Sequence, residues 1–123
     1  MSFKGKTVAI TGAAGGIGQS LVRHFSAEGA AIAAIDKSEA LTGLAAEWRS
    51  SGMTIAHAVC DIGDRAAVAQ AFAALVKALG PIDILVNNAG FSSHPTFART
   101  NPESWDHEVN GNLNGAYTCA HAV

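Results

Sequence analysis

The chain has 123 residues, 49% of them hydrophobic and 15% charged, with 8 Lys and Arg against 10 Asp and Glu. That describes one domain or part of one, with enough apolar material for a packed core and too little charge for disorder. A net charge of -2 without a basic stripe argues against a nucleic-acid partner, and no apolar run is long enough to span a bilayer.

The opening MSFKGKTVAITG runs directly into strand-like sequence, without the apolar segment and small-residue cleavage site of a secretory signal. Cys60 and Cys119 are too few for a disulfide framework. Both features predict a cytoplasmic protein.

Thr7 to Thr11 is a short apolar strand ending in glycines. Gly16 to Glu28 follows as a helix with Ile17, Leu21, Val22 and Phe25 at helical spacing on one face, and Gly29 sits where a terminating glycine belongs. Ala30 to Ile35 is a second strand, running into Asp36. Glu39 to Ser51 carries Leu41, Leu44, Ala45 and Trp48 on one face, with Gly52 as its stop. Thr54 to Val59 is a third strand, and Asp64 is placed to cap a helix bearing Val68, Phe72, Leu75, Val76 and Leu79. Ile82 to Val86 is a fourth strand, leading into Asn87-Asn88-Ala89-Gly90. Asn101 as cap and Pro102 at the first helical position begin a last helix containing Trp105, Val109 and Leu113. That helix reaches Val123 with no stop signal, so a domain cut short at its C-terminus is expected, with the fourth strand paired on one side only. Trp48 and Trp105 are read as core or interface residues.

Strands that are apolar nearly throughout, separated by helices, predict an α/β fold: a parallel sheet of four strands, doubly wound and covered by helices on both faces. In such sheets ligands bind beyond the carboxyl ends of the strands, and the informative residues stand there. After the first strand comes TGAAGGIG, in which Thr11, Gly12, Gly16 and Gly18 form the pattern T-G-x-x-x-G-x-G. Glycines at a strand-to-helix turn let backbone approach a pyrophosphate, and the unpaired N–H groups of the helix start favour an anion. A tight turn with no ligand is the alternative. No lysine followed by Ser or Thr closes the loop, which excludes a P-loop.

Asp36, about 20 residues on, is placed to accept hydrogen bonds from the hydroxyls of an adenosine ribose and to repel a 2′-phosphate, which favours NAD over NADP. An ordinary solvated carboxylate is the alternative, and it fits poorly with the glycine loop at its proper distance. Ala14 brings no cation for a 2′-phosphate; Lys37, beside Asp36, is the one residue that complicates the preference. Asp61, after the third strand, is either a turn aspartate or a partner for an adenine amino group.

The glycine pattern, the two strand-end aspartates and Asn87-Asn88-Ala89-Gly90 together resemble the short-chain dehydrogenase/reductase family. The run Trp105, Asp106, Asn112, Leu113 and Gly115 extends the resemblance over essentially the whole chain. The family implies a Rossmann-type sheet over residues 1–123 and hydride transfer between a nicotinamide cofactor and an alcohol or ketone. It implies that Gly12, Gly16, Ile17 and Gly18 lie against the pyrophosphate, with the Ile17 N–H as donor. Asp36 would hold the ribose, Asp61 and Ile62 would flank the adenine, and Asn88, Ala89 and Gly90 would line the cofactor trough. Thr11 would bond to the strand-four loop. Asn112 matches the catalytic asparagine, which in the family perturbs its helix and holds a water.

The family's serine and its Tyr-x-x-x-Lys pair lie beyond this helix, and the chain stops first. Tyr117 has His121 four residues on, not a lysine, so it is read as packing; a phenol needs a nearby cation to act near neutral pH. Ser92 and Ser93 come too early to match the catalytic serine. His24, His57, His94, His107 and His121 show no zinc spacing, so no metal is expected; His94 is placed to line a substrate entrance. A catalytically inactive NAD-binding module is the competing function, and a Rossmann-like methyltransferase ranks last. Association into a homo-oligomer is expected from the apolar edge of the fourth strand and the exposed face of the last helix.

Overall fold

The computed structural model describes residues 2–93 and 96–123; His94 lies outside them. Strand β1 (Thr7–Thr11) is followed by helix α1 (Gly16–Ala27), β2 (Ala31–Asp36), α2 (Ala40–Ser50), β3 (Ile55–Val59), α3 (Arg65–Leu79) and β4 (Ile84–Val86). A short 3-10 turn at Phe97–Arg99 precedes α4 (Pro102–Glu108), a π-helical turn at Val109–Asn114, and α5 (Gly115–Ala122). Backbone angles stay helical at Val109 and Gly115, so the last three form one continuous helix with a widened middle.

The sheet order is β3-β2-β1-β4, parallel throughout. The chain moves outward from β1 to β3, then crosses back to the far side of β1. That reversal opens a crevice at the carboxyl ends of β1 and β4, where the loops leave in opposite directions. Successive strand residues point to opposite faces. Val8, Ile10, Ile32 and Ala34 pack under α1 and α2 with Val22, Leu41, Ala45 and Trp48. Ala9, Ala33 and Ile35 pack on the other face with Val68, Phe72 and Leu75 of α3 and Cys119 of α5.

Helix ends follow the chemistry of their residues. Asp64 accepts a hydrogen bond from the Ala67 N–H, capping α3. Asn101 and Ser104 form a reciprocal capping box, with Pro102 at the first helical position of α4. Gly29 and Gly52 follow α1 and α2 at φ of +94° and +96°, values that favour glycine.

Three expectations are corrected. The fourth strand begins at Ile84, not Ile82, because the Asp83 carboxylate takes the Thr7 N–H (2.9 Å) that a strand carbonyl would otherwise accept. Ile17 leaves the buried face of α1: it is 71% exposed, while Val22 is fully buried. Tyr117, read as a packing residue, is 61% exposed, because among the described residues nothing covers the outer face of its helix; Trp105, 58% exposed, stands on the open face expected of the last helix. Trp48 is in the core, and among the described residues β4 pairs with β1 alone.

Candidate functional site

The loop after β1 is shaped by two glycines. Gly12 has φ of +67°, and a Cβ there would stand 2.9 Å from Asn88 Nδ2 and 3.0 Å from the Ala89 Cα. A Cβ on Gly18 would overlap the Gly12 carbonyl, so α1 starts directly against the loop. Gly16 differs: a Cβ there would meet nothing within 4 Å. Its missing side chain leaves open the crevice that it lines. The α1 start, capped by Gly15, has no side-chain acceptor for its first N–H groups. Unpaired donors, a positive helix end and bare backbone are what an anion requires.

Asp36, at the end of β2, accepts from the Ala14 N–H (3.0 Å) and the Ser38 N–H (2.9 Å), one on each oxygen. It therefore ties the glycine loop to the start of the α2 segment, and each oxygen retains a lone pair for a further donor. Lys37 reaches over the crevice, its Nζ 5.3 Å from the Phe91 ring centroid, within cation–π range. Asp61 accepts from the Gly63 N–H, so the turn role is present, and it faces the crevice as well.

Asn87-Asn88-Ala89-Gly90 is tied to β1 through the Thr11 hydroxyl and the Asn88 side chain. Thr11 Oγ1 accepts from the N–H groups of Asn88 (3.1 Å) and Ala89 (3.0 Å) and donates to the Val86 carbonyl (3.5 Å). The Asn88 side chain donates to the carbonyls of Thr11 (3.0 Å) and Gly12 (3.3 Å). Thr11 is fully buried. It bonds to the strand-four loop as the sequence led us to expect.

Asn112 stands in the π-helical turn. Its Oδ1 accepts from the Phe91 N–H (2.9 Å), and its Nδ2 donates to the carbonyls of Phe91 (2.8 Å) and Glu108 (3.0 Å). Such turns concentrate at functional sites. Ser93 donates through its N–H and hydroxyl to Glu108 (2.7 Å each), beside the same turn.

Gly12, Gly16, Ile17, Gly18, Asp36, Asp61, Ile62, Asn88, Ala89 and Gly90 all line one crevice of about 360 Å³. Asn112 lies behind its wall, joined to it through Phe91. Lys37, Cys60, Phe91 and Gly111 line it too, although in the sequence only Lys37 was weighed for the cofactor and Cys60 was weighed only for a disulfide; Phe91 and Gly111 adjoin singled-out motifs, which is the signal that could have found them. Burial, aided by the charges of Asp61 and Asp64, raises the Cys60 thiol pKa, and burial pushes Cys119 up to about 11. Both shifts favour the protonated thiol over the thiolate. Among the described residues no three His, Cys, Asp or Glu side chains are placed to hold a metal ion, and no helix is long and apolar enough to cross a membrane.

A parallel sheet reversing direction at β1, with a glycine turn aimed into the reversal, defines a Rossmann-like nucleotide-binding fold. The short chain dehydrogenase family profile matches residues 6–123, and the chain belongs to that family. It is 36% identical over 124 residues to the 3-oxoacyl-acyl-carrier-protein reductase of Thermotoga maritima, covering 100% of this chain and 50% of that protein. Among solved structures, the gluconate 5-dehydrogenase of Burkholderia cenocepacia, in complex with NADP and tartrate, matches at a TM-score of 0.90 and 36% identity over 99% of this chain and 48% of its own. An NAD+-bound xylitol dehydrogenase matches at 0.92 and 32%, over 100% and 48%. The chain thus spans about half the length of the curated relatives that it matches.

Proposed function

We propose that residues 1–123 form the NAD-binding domain of an oxidoreductase that moves a hydride between nicotinamide and an alcohol or carbonyl substrate. The single observation carrying this reading is the convergence of the Gly12–Gly18 backbone cradle, Asp36, the Asp61–Ile62 turn and the Asn88–Gly90 loop on one crevice. The cradle fits a pyrophosphate because it offers uncapped N–H groups where a Cβ is excluded or absent. When bound, the cofactor supplies the hydride chemistry. Gly12, Gly16, Ile17 and Gly18 would hold the pyrophosphate, Asp36 the ribose, Asp61 and Ile62 the adenine, and Asn88, Ala89 and Gly90 the trough wall. Asn112 is assigned the catalytic asparagine.

NAD is favoured over NADP because the Asp36 carboxylate would face a 2′-phosphate with like charge. Calorimetric titration of NAD and NADP, with a hydride-transfer assay on the same sample, tests both parts. NAD should bind about tenfold more tightly, or about 1.4 kcal/mol. Tighter NADP binding overturns the Asp36 reading. Relatives carry either cofactor, so the outcome is informative.

An inactive NAD-binding module is the second reading. Its support is Tyr117, which is exposed and lies beside His121 (ring centroids 5.9 Å apart) with no lysine near it in sequence. Binding without turnover on any alcohol or ketone favours that reading. A cytoplasmic homo-oligomer is the assembly we assign, because Trp105, Leu113 and Tyr117 are all exposed on the last helix. A sharp monomer peak in light-scattering chromatography counts against it.

A further inference from the structure

The π-helical turn and the first residue of α5 touch the loop after β3 at two points. Asn110 Nδ2 donates to the Gly63 carbonyl (3.1 Å), and a Cβ on Gly63 would stand 2.6 Å from that nitrogen. One turn later, a Cβ on Gly115 would stand 2.6 Å from Ile62 Cδ1. Asn114 donates to Asn110 Oδ1 (3.3 Å), which fixes the plane of the Asn110 amide. Gly63 in turn donates to Asp61. The turn that carries Asn112 is therefore seated on the Asp61–Ile62–Gly63 loop by one hydrogen bond and two close glycine approaches.

The alternative to a π-turn is the α-helical bonding on either side of it. The π-turn holds one more residue than the α-helical bonding it replaces, and reverting would rotate the side chains after it by about 100° around the axis. Asn112 would then leave both Phe91 groups that it now bridges. Something must hold the wider register, and on its N-terminal side it is held from outside the helix by Ser93 on Glu108 and by Asn110 on Gly63; the second of these reaches the Asp61–Gly63 loop.

We infer that Asn110 is a positioning residue: through Gly63 it makes occupancy of the Asp61–Ile62 end of the crevice felt at Asn112. This rests on the proposed cofactor reading, in which that end takes the adenine. A ligand that orders the Asp61–Gly63 loop stabilises the π-turn, and by reciprocity a turn held in register tightens ligand binding.

The probe is 5′-AMP, which carries the adenine end alone. It is titrated into the 15N-labelled 123-residue chain, with affinity read by calorimetry and the Asn112 side-chain amide read by NMR. In the wild type the Asn112 resonances should move with the same midpoint as binding. Asn110→Asp keeps the shape but removes the donor to Gly63. It should weaken AMP by about three- to tenfold, the scale of one hydrogen bond, and remove most of the Asn112 shift. Gly63→Ala displaces the same nitrogen from the other side and should act alike. A direct ring-current effect of the adenine would survive both substitutions. Binding with no Asn112 shift in the wild type, or a shift unchanged in the variants, overturns the inference alone. Failure of AMP to bind at all removes the adenine reading, and this inference with it.

Discussion

β1 and β4 lie side by side and pair in parallel, yet they belong to different environments. All five residues of β1 are buried, with a strand on each side and helices on both faces. The three residues of β4 are half-buried, and the continuous helix that follows exposes Trp105, Leu113 and Tyr117. By composition TVAIT and ILV read alike. A strand's apolar character reports that it wants cover; it does not report which neighbours supply that cover. The crevice falls on the seam between the well-packed region and the loosely packed one, where loops have room to accept a ligand.

The widest separation between the two regions should appear in truncations. Ile32→Ala, in a fully buried site, should cost about 2–5 kcal/mol, while Leu113→Ala should stay within about 0.5 kcal/mol. Urea unfolding measures both, and comparable losses would erase the contrast. Thr11→Val cuts the seam itself. It leaves the Ala89 N–H without its acceptor and the Asn88 N–H with the Val86 carbonyl alone, at about 1–3 kcal/mol, and amide exchange should accelerate in residues 87–90 before it does in β1.

The two glycines of the loop separate packing from access. Gly18→Ala drives a Cβ into the Gly12 carbonyl and should cost about 1–3 kcal/mol along with NAD affinity. Gly16→Ala meets nothing, so unfolding should move by no more than about 0.5 kcal/mol. Any loss of NAD binding in that variant would then report crowding of the ligand itself.

The smallest effect is one of pH. The Thr7 N–H, followed by Lys6, lowers the Asp83 pKa, and the carboxylate clips the starts of β1 and β4 together. A depressed carboxylate contributes stability above its ordinary pKa of about 3.9 and loses it as pH falls through the lower folded value. Asp83→Asn should therefore lower stability slightly at neutral pH and converge with the wild type at low pH, which flattens the acid side of the stability curve. An unchanged acid limb would show that the clip carries no weight.

Much of the site was legible in the sequence, because its parts depend on backbone constraints that few residue types satisfy. Gly12, Gly18 and Thr11 are such parts, and each is where spacing put it. Asp64 and Asn101 cap their helices for the same reason. What misled was side-chain direction near a helix start. Ile17 matches the apolar spacing of α1 but points into the crevice, since the first turn has already cleared the sheet. Tyr117 was misread because its cover is supplied by nothing within the described residues, whereas Trp105 is exposed as expected. The Asn110–Gly63 contact joins positions 47 residues apart, and no local pattern announces it.

The Thr11 hydroxyl has a consequence for how the chain comes to be made. Its partners Asn88 and Ala89 lie 77 and 78 residues downstream. The glycine loop and the first turn of α1 emerge early from the ribosome, but their anchor comes only with the loop after β4. Closing so long a segment is a late event in folding. The nucleotide-binding loop is thus written near the beginning of the chain and completed near its end, so a nascent chain shorter than about residue 90 would carry the motif without the firm seat that lets it hold a ligand.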